Sequence, residues 1–272
     1  MKQNYVYCII PTFNRLKELS NCIQQLKKQT YKNIKIIIIN DGSTDGTLSY
    51  LEGIDDDNFH FINGDGNLWW GKSINEGLKF VLDKATSQDF ILLLNDDTYF
   101  DENCVQYFLD DHRDLDRKII LGAYQADIDT KEKTALGYKI NYFKTRITEN
   151  FSCDGSDIVD ALPGRGLFFS FKTLEHIGII NTYFFRQAMG DLEFTSRAKE
   201  KGISLKICEK AIVYTKAKAA DDSQIAQSFF KRLTSRFNNN SLLLAFTFFC
   251  LRGPLLLRLW SLPRFIFFRV FR

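Results

Sequence analysis

The sequence predicts an α/β chain built on a mostly parallel sheet, and three observations carry that reading. First, the apolar runs at residues 5–10, 36–39 and 90–94 are continuous and do not alternate with polar residues. A strand of that kind is buried on both faces, as in a parallel sheet. Second, helical stretches with one apolar face alternate with these runs, the order that places helices against a sheet. Third, the runs end in polar turns: Pro11-Thr12-Phe13-Asn14, then Asp41-Gly42-Ser43-Thr44-Asp45-Gly46, then Asn95-Asp96-Asp97. Acidic groups at the carboxyl ends of neighbouring parallel strands converge on one crevice, where open α/β sheets take their ligands.

The elements follow in order. Strand 5–10 leads to a helix with Leu16, Leu19, Cys22, Ile23 and Leu26 on one face and Asn14 as its cap. Strand 34–40 leads to a short helix near 47–52 and a third strand at 59–62. The loop 63–67 opens a helix from 72 to 85, with Ile74, Leu78, Val81 and Leu82 turned inward. Past residue 118 the pattern loosens. Residues 119–124, 135–140 and 167–171 read as strands, and 141–160 as a polar, irregular loop of the kind that binds or moves. A helix at 192–201 begins beside Asp191 and stops at Gly202.

With 272 residues and 45% apolar content, the chain can bury one substantial core and a small appendage. Its six cysteines form no C-x-x-C pair and no metal spacing, so they read as small buried hydrophobes in a reducing compartment. His60, His112 and His176 form no metal-like cluster. The start, Met1-Lys2-Gln3-Asn4, lacks the basic-then-apolar layout of a signal peptide, which makes the cytoplasm the expected location.

Six elements, in this order, resemble family 2 glycosyltransferases of the GT-A fold, over about residues 5–215. They are Ile10-Pro11-Thr12-Phe13-Asn14-Arg15, Asn40-Asp41-Gly42-Ser43-Thr44-Asp45-Gly46-Thr47 and Asn67-x-x-x-Gly71-x-x-x-Asn75-x-Gly77. Leu94-Asn95-Asp96-Asp97, Gly164-x-Gly166 and Gly190-Asp191-Leu192-Glu193-Phe194, leading to Arg197-Ala198 and Gly202, complete the set.

The resemblance implies a nucleotide-sugar donor, a hydroxyl acceptor and a divalent cation, Mg²⁺ or Mn²⁺, that neutralises the leaving diphosphate. Asp97 is similar to the family's metal-binding aspartate, and Asp96 would face the ribose or support the metal. Asp41 matches the carboxylate that contacts the base, with Thr12 and Arg15 on the adjacent turn. Asp41 and Asp45 also read as turn formers bonded to their own backbone. Asp191 resembles the catalytic base of an inverting transfer, or else caps its helix. Glu193 either orients the acceptor or is a first-turn acid favoured by the helix dipole. Asn67, Trp70, Lys72 and Gly166 complete the expected substrate-binding set, with Trp70 read either as a stacking surface or as a core residue and Lys72 either as a phosphate contact or as a solvated lysine at a helix start. Where the family shows Glu-Asp this chain has Gly190-Asp191, and where it often has Asp the chain has Asn95.

Residues 1–220 are the expected catalytic domain and 221–272 a basic, apolar tail. Nothing after Asp222 is acidic, while Lys231, Arg232, Arg236, Arg252, Arg258, Arg264, Arg269 and Arg272 are basic. The apolar stretch 241–251 is too short to span a bilayer. Arginines mixed with Leu, Phe and Trp260 fit helices lying in the interface of an anionic membrane, and a lipid-linked saccharide acceptor goes with that reading. The competing reading packs the 241 helix back on the domain. Nucleic acid is not an expected partner, because long Leu and Phe runs serve nothing on a phosphate backbone. Two rivals remain at this stage. A sugar nucleotidyltransferase would want a glycine-rich loop after strand one, and a membrane adaptor would keep the fold without activity.

Overall fold

The computed structural model describes residues 4–114, 118–134, 136–150, 159–216 and 241–266. The domain boundary expected near residue 220 lies outside the described residues. So do Ala135, Cys153, Lys231, Arg232, Arg236, Arg269 and Arg272.

The main sheet has eight strands: β1 (Val6–Thr12), β2 (Ile34–Asn40), β3 (Phe59–Asn63), β4 (Phe90–Leu93), β5 (Tyr99–Phe100), β6 (Ile119–Asp127), β9 (Leu167–Ser170) and β10 (Ser204–Thr215). They are ordered β3-β2-β1-β4-β9-β6-β10-β5. The first four are mutually parallel, and β6 is parallel to β10. β9 runs antiparallel between β4 and β6, and β5 antiparallel to β10. A separate hairpin joins β7 (Gly137–Asn141) to β8 (Arg146–Asn150). It occupies part of the region expected as irregular loop. β8 carries a single apolar residue, Ile147, so its sequence gives little strand signal.

Helices cover both faces of the sheet, which explains the unbroken apolar runs. Val6, Cys8 and Ile10 of β1 meet Leu19, Cys22, Ile23 and Leu26 of α1 (Leu16–Lys27) in one core. Tyr7 and Ile9 meet Ile74, Leu78 and Val81 of α3 (Trp69–Lys84) in the other. A Cβ on Gly77 would lie 2.4 Å from Ile9 Cγ2, so only glycine lets α3 approach β1 this closely. Leu82 departs from expectation. It is 41% exposed, because its place next to Val81 turns it off the buried face. Asn14 does not cap α1 either. The Leu16 N–H donates to Asp45 Oδ2 at 3.0 Å, while Asn14, at φ 52°, accepts from Thr44 N with its own Oδ1. The cap is thus lent by the turn before α2 (Thr47–Glu52).

Beyond these lie α4 (Cys104–Asp114), α5 (Phe171–Ile177) and α6 (Gly190–Glu200). Three further helices follow: α7 (Leu242–Leu251), α8 (Leu255–Leu259) and α9 (Ser261–Phe265). The tail is divided. In α7, Leu244, Ala245, Phe248 and Phe249 are buried against Phe185, Ala188, Met189 and Leu192, so this helix packs back on the domain. Its terminus is tied to α6 by Arg252, 3.0 Å from Glu200 and 3.6 Å from Glu193. In α8 and α9, by contrast, Leu255, Leu256, Leu259, Trp260 and Leu262 are all more than half exposed.

This division predicts unequal sensitivity. Phe248→Ala should cost about 3–5 kcal/mol in urea denaturation, the range for a buried Phe. Leu256→Ala should stay within about 0.5 kcal/mol, as exposed positions do.

Candidate active site

The ends of β1, β2 and β4 meet at one edge of the sheet. Thr12, last in β1, stands in register with Asn40, last in β2. Thr12 Oγ1 donates to Asp96 Oδ2 at 2.9 Å. Arg15 Nη1 donates to Asp96 Oδ1 and Asp97 Oδ2, both at 3.1 Å, and Arg165 Nη2 donates to Asp97 Oδ1 at 3.2 Å. Asp96 is buried, and burial pushes its carboxyl above the usual range against the pull of Arg15 and Thr12. Asp97 keeps 24% of its side chain exposed.

Asp41 is buried and fully engaged. Its Oδ1 accepts from Gly66 N and Leu68 N, each at 3.0 Å, and its Oδ2 from Trp69 N at 2.9 Å. Three N–H groups on one carboxylate fix the loop that enters α3. That loop includes Trp69 at φ 59°, a strained value for a bulky residue. Together these groups line a cleft of about 400 Å³, whose floor includes Pro11, Phe13 and Ser73.

A second cleft, of about 560 Å³, opens beside it and holds Asp191. Asp191 sits in the first turn of α6, after Met189 in the left-handed region at φ 61°. Its Oδ2 accepts from Gly164 N at 2.8 Å and its Oδ1 from Leu192 N at 2.9 Å. Burial raises its carboxyl above the ordinary value, and these two N–H groups offset part of that rise. Tyr138 and Glu149 of the hairpin, Gln125 of β6, and Ser241 and Ala245 at α7 form the far wall.

Four residues line both clefts: Trp70, Asn95, Arg165 and Gln187. Trp70 Nε1 donates to Asn95 Oδ1 at 3.0 Å, and the Trp70 backbone N–H donates to Gln187 Oε1 at 2.9 Å. A Cβ on Gly164 would stand 2.5 Å from the Trp70 ring. The two clefts therefore adjoin along these four residues and together form the channel of the site.

Of the residues singled out in the sequence, Thr12, Arg15, Asp41, Asp96 and Asp97 come together in the first cleft, and Trp70 joins it to Asp191. Gly166 takes φ +74°, and a Cβ there would lie 2.4 Å from that of Ala123, so it shapes the backbone beside the channel. Glu193 is fully buried, pairs with Arg197 at 2.8 Å, and lines neither cleft. Asn67 is exposed, with its N–H on Asp65, and it and Lys72 also lie off both linings. Arg165 and Gln187 were not legible: each is a single polar residue far in sequence from what it touches.

Comparison with known proteins bears on the family and the fold. The profile of glycosyl transferase family 2 matches residues 7–174. The chain belongs to that family. It is 24% identical over 118 residues to the glycosyltransferase GlyG of Streptococcus pneumoniae, covering 43% of this chain and 38% of that one. It is 32% identical over 125 residues to an uncharacterised glycosyltransferase of Rickettsia typhi, covering 44% and 37%. The chain thus spans well under half the length of these curated relatives. Among solved structures, a mannosyltransferase of Pyrobaculum calidifontis, in complex with GDP-Man and Mn²⁺, superposes with a TM-score of 0.60 at 15% identity, over 97% of this chain and 74% of that one. GalNAc-T7 with UDP, GalNAc and Mn²⁺ gives 0.66 at 11% identity, over 80% and 45%. The fold is GT-A.

A divalent cation can be tested against the residues present. Among the described residues no cluster of three His, Cys, Asp or Glu could enclose one. Asp97 nonetheless fits the sparser mode in which one carboxylate holds the ion and phosphates and water complete it. It is partly exposed at the cleft, and each of its oxygens accepts one hydrogen bond and so keeps a lone pair.

The channel also depends on a buried clamp. Asn75 Nδ2 donates to Ile180 O, and Ile180 N donates to Asn75 Oδ1, both at 2.9 Å. Asn75→Ala would strand the Ile180 N–H and leave the Ile180 carbonyl with the Thr182 N–H alone. It should lower stability by about 1–3 kcal/mol in urea denaturation.

Proposed function

We propose that this chain is an inverting glycosyltransferase that moves a single sugar from a nucleotide-diphosphate sugar to a hydroxyl acceptor. The observation that carries the reading is the shared middle of the two clefts. It lies between the cluster of Asp96, Asp97 and Arg15 and the half-buried carboxylate of Asp191. A donor with its diphosphate near Asp97 would set its anomeric carbon in that middle. An acceptor in the second cleft would then approach from the Asp191 side.

In the step, the acceptor oxygen bonds to the anomeric carbon as the bond from that carbon to the diphosphate oxygen breaks. The electron pair leaves on the diphosphate, and the acceptor's proton passes to Asp191. A carboxyl already raised by burial is better matched to accept that proton than an ordinary one. Gly164 N–H and Leu192 N–H hold its two oxygens in place. Thr12, Arg15 and Asp96 form the floor on the nucleotide side, and Asp41 holds the loop that closes it. A divalent cation, Mg²⁺ or Mn²⁺, would be held by Asp97 and would supply charge neutralisation of the leaving diphosphate. The nucleotide sugars and Mn²⁺ bound by the two solved GT-A structures support that donor class.

We extend the reading to a lipid-linked saccharide acceptor in surface polysaccharide assembly, at the cytoplasmic face of the membrane. The poly-β-1,6-N-acetyl-D-glucosamine synthase of Staphylococcus aureus, 26% identical over 133 residues, supports the polymer class. Among the described residues no helix is long and apolar enough to cross a membrane. The surface that fits an anionic bilayer is instead α8–α9, with Leu255, Leu256 and Leu259 at least 70% exposed and Trp260 beside them. Leucines and an indole displayed around Arg258 and Arg264, in a stretch with no acidic residue after Asp222, match the interface of an anionic leaflet.

Asp191→Asn should keep donor affinity and lose roughly 10²–10⁴-fold in transfer. Wild-type transfer should rise with pH as Asp191 ionises, with a midpoint above the ordinary aspartate value near 3.9. An Asn variant that turns over within a few-fold of wild type removes Asp191 from proton transfer.

Deleting residues 254–272, which spares α7 and Arg252, should release the protein from anionic vesicles in sedimentation while leaving it folded. Salt should weaken wild-type binding without abolishing it, because only the arginine contribution, about 1 kcal/mol each, is screened. Sedimentation of the shortened, folded chain would move the membrane contact elsewhere.

A further inference from the structure

Arg165 occupies a position that no other described residue shares. Its side chain donates to Asp97 at 3.2 Å, while the N–H of the preceding residue, Gly164, donates to Asp191 at 2.8 Å. One residue step therefore connects the carboxylate beside the expected diphosphate with the expected base. The Arg165 carbonyl accepts from Gln125 Nε2 at 3.3 Å, and Gly166 follows at φ +74°, so the backbone is held where the guanidinium can reach the channel. The side chain lines both clefts and is 26% exposed. Its Nε is buried without a hydrogen-bond partner, a donor held ready beside the cleft.

Charge points the same way. Asp96 and Asp97 are matched by Arg15 and Arg165, so the cluster is close to neutral before any ligand arrives. A lone divalent cation approaching Asp97 would face two guanidinium groups, whereas a diphosphate would meet them as donors. Guanidinium groups bind phosphate oxygens through two parallel N–H bonds.

We propose that Arg165 is a direct ligand of the donor's diphosphate, taking part of the leaving-group charge otherwise left to a cation. The reading rests on the transferase function above. As the bond from the anomeric carbon to the diphosphate oxygen breaks, the electron pair moves onto that oxygen and Arg165 hydrogen-bonds the growing charge. Nothing is transferred to the arginine. It follows that nucleotide binding is weakened but not abolished without metal, and that metal binds weakly without nucleotide.

Calorimetry on the full chain tests this with UDP, GDP, UMP and GMP, each in Mn²⁺ and in EDTA, and with Mn²⁺ alone. Wild type should bind one of the diphosphates in EDTA, and more tightly with Mn²⁺. Arg165→Met should weaken diphosphate binding in EDTA by tenfold or more and leave binding of the matching monophosphate unchanged, since that ligand lacks the second phosphate. Arg165→Lys should recover part of the loss. Equal diphosphate affinity in wild type and Arg165→Met overturns the proposal and leaves the transferase reading intact. Parallel loss of mono- and diphosphate binding also overturns it, by making Arg165 a structural prop. Failure of wild type to bind any of the four nucleotides in Mn²⁺ overturns the transferase reading itself, and this proposal with it.

Discussion

Trp70 is fixed at three points, by its indole Nε1 on Asn95, by its ring against Gly164 and by its backbone N–H on Gln187, and both clefts take their shape from that placement. The neighbouring contacts repeat the theme along α3. Gly71 N–H donates to Arg186 O at 2.8 Å, and a Cβ at Gly71 would meet the Phe185 and Arg186 carbonyls at 2.8 Å. One turn further, Asn75 pairs with both backbone groups of Ile180. Residues 71 and 75 lie on one helical face. Gly71 and Asn75 are thus a docking strip that aligns the segment before α6, and through it Met189 and Asp191, with the edge of the sheet.

Electrostatics set the second constraint. Two aspartates side by side at a strand end would repel each other, and burial of Asp96 adds a desolvation cost. Arg15, bonded to both carboxylates, offsets part of each cost, and Arg165 adds a second bond to Asp97. Such a cluster is held in a fixed arrangement by its own attraction, so its donors need little reorganisation when charge develops on a ligand.

Much of this was legible in the sequence, for a physical reason. β1, β2 and β4 are buried on both faces and therefore read as unbroken apolar runs, and their acidic ends mark the crevice. Elements that escaped have mixed environments. β10 alternates buried Leu205, Cys208, Ala211 and Val213 with wetter residues, and its register shifts between Cys208 and Ile212, which breaks the two-residue period. The antiparallel β9 looks like any apolar strand, and nothing local records its direction. α7 is apolar all round, which cannot say whether a membrane or a core receives it; only its contacts with Phe185, Met189 and Leu192 decide. Glu193 looked like a site residue by its spacing from Asp191, yet α6 turns it to the opposite side, where Arg197 and Arg252 neutralise it.

The packing of α7 also bears on how the protein comes into being. Ser241 and Ala245 finish the wall of the cleft that holds Asp191, although they follow Asp191 and all of β10 in the chain. A chain leaves the ribosome with its N-terminal segments first. The strand ends that carry Thr12, Asp41 and Asp97 are made early, whereas the cleft beside Asp191 stays open on one side until α7 has emerged and docked. The order of synthesis therefore delivers Thr12, Asp41 and Asp97 first and the last wall beside Asp191 at the end.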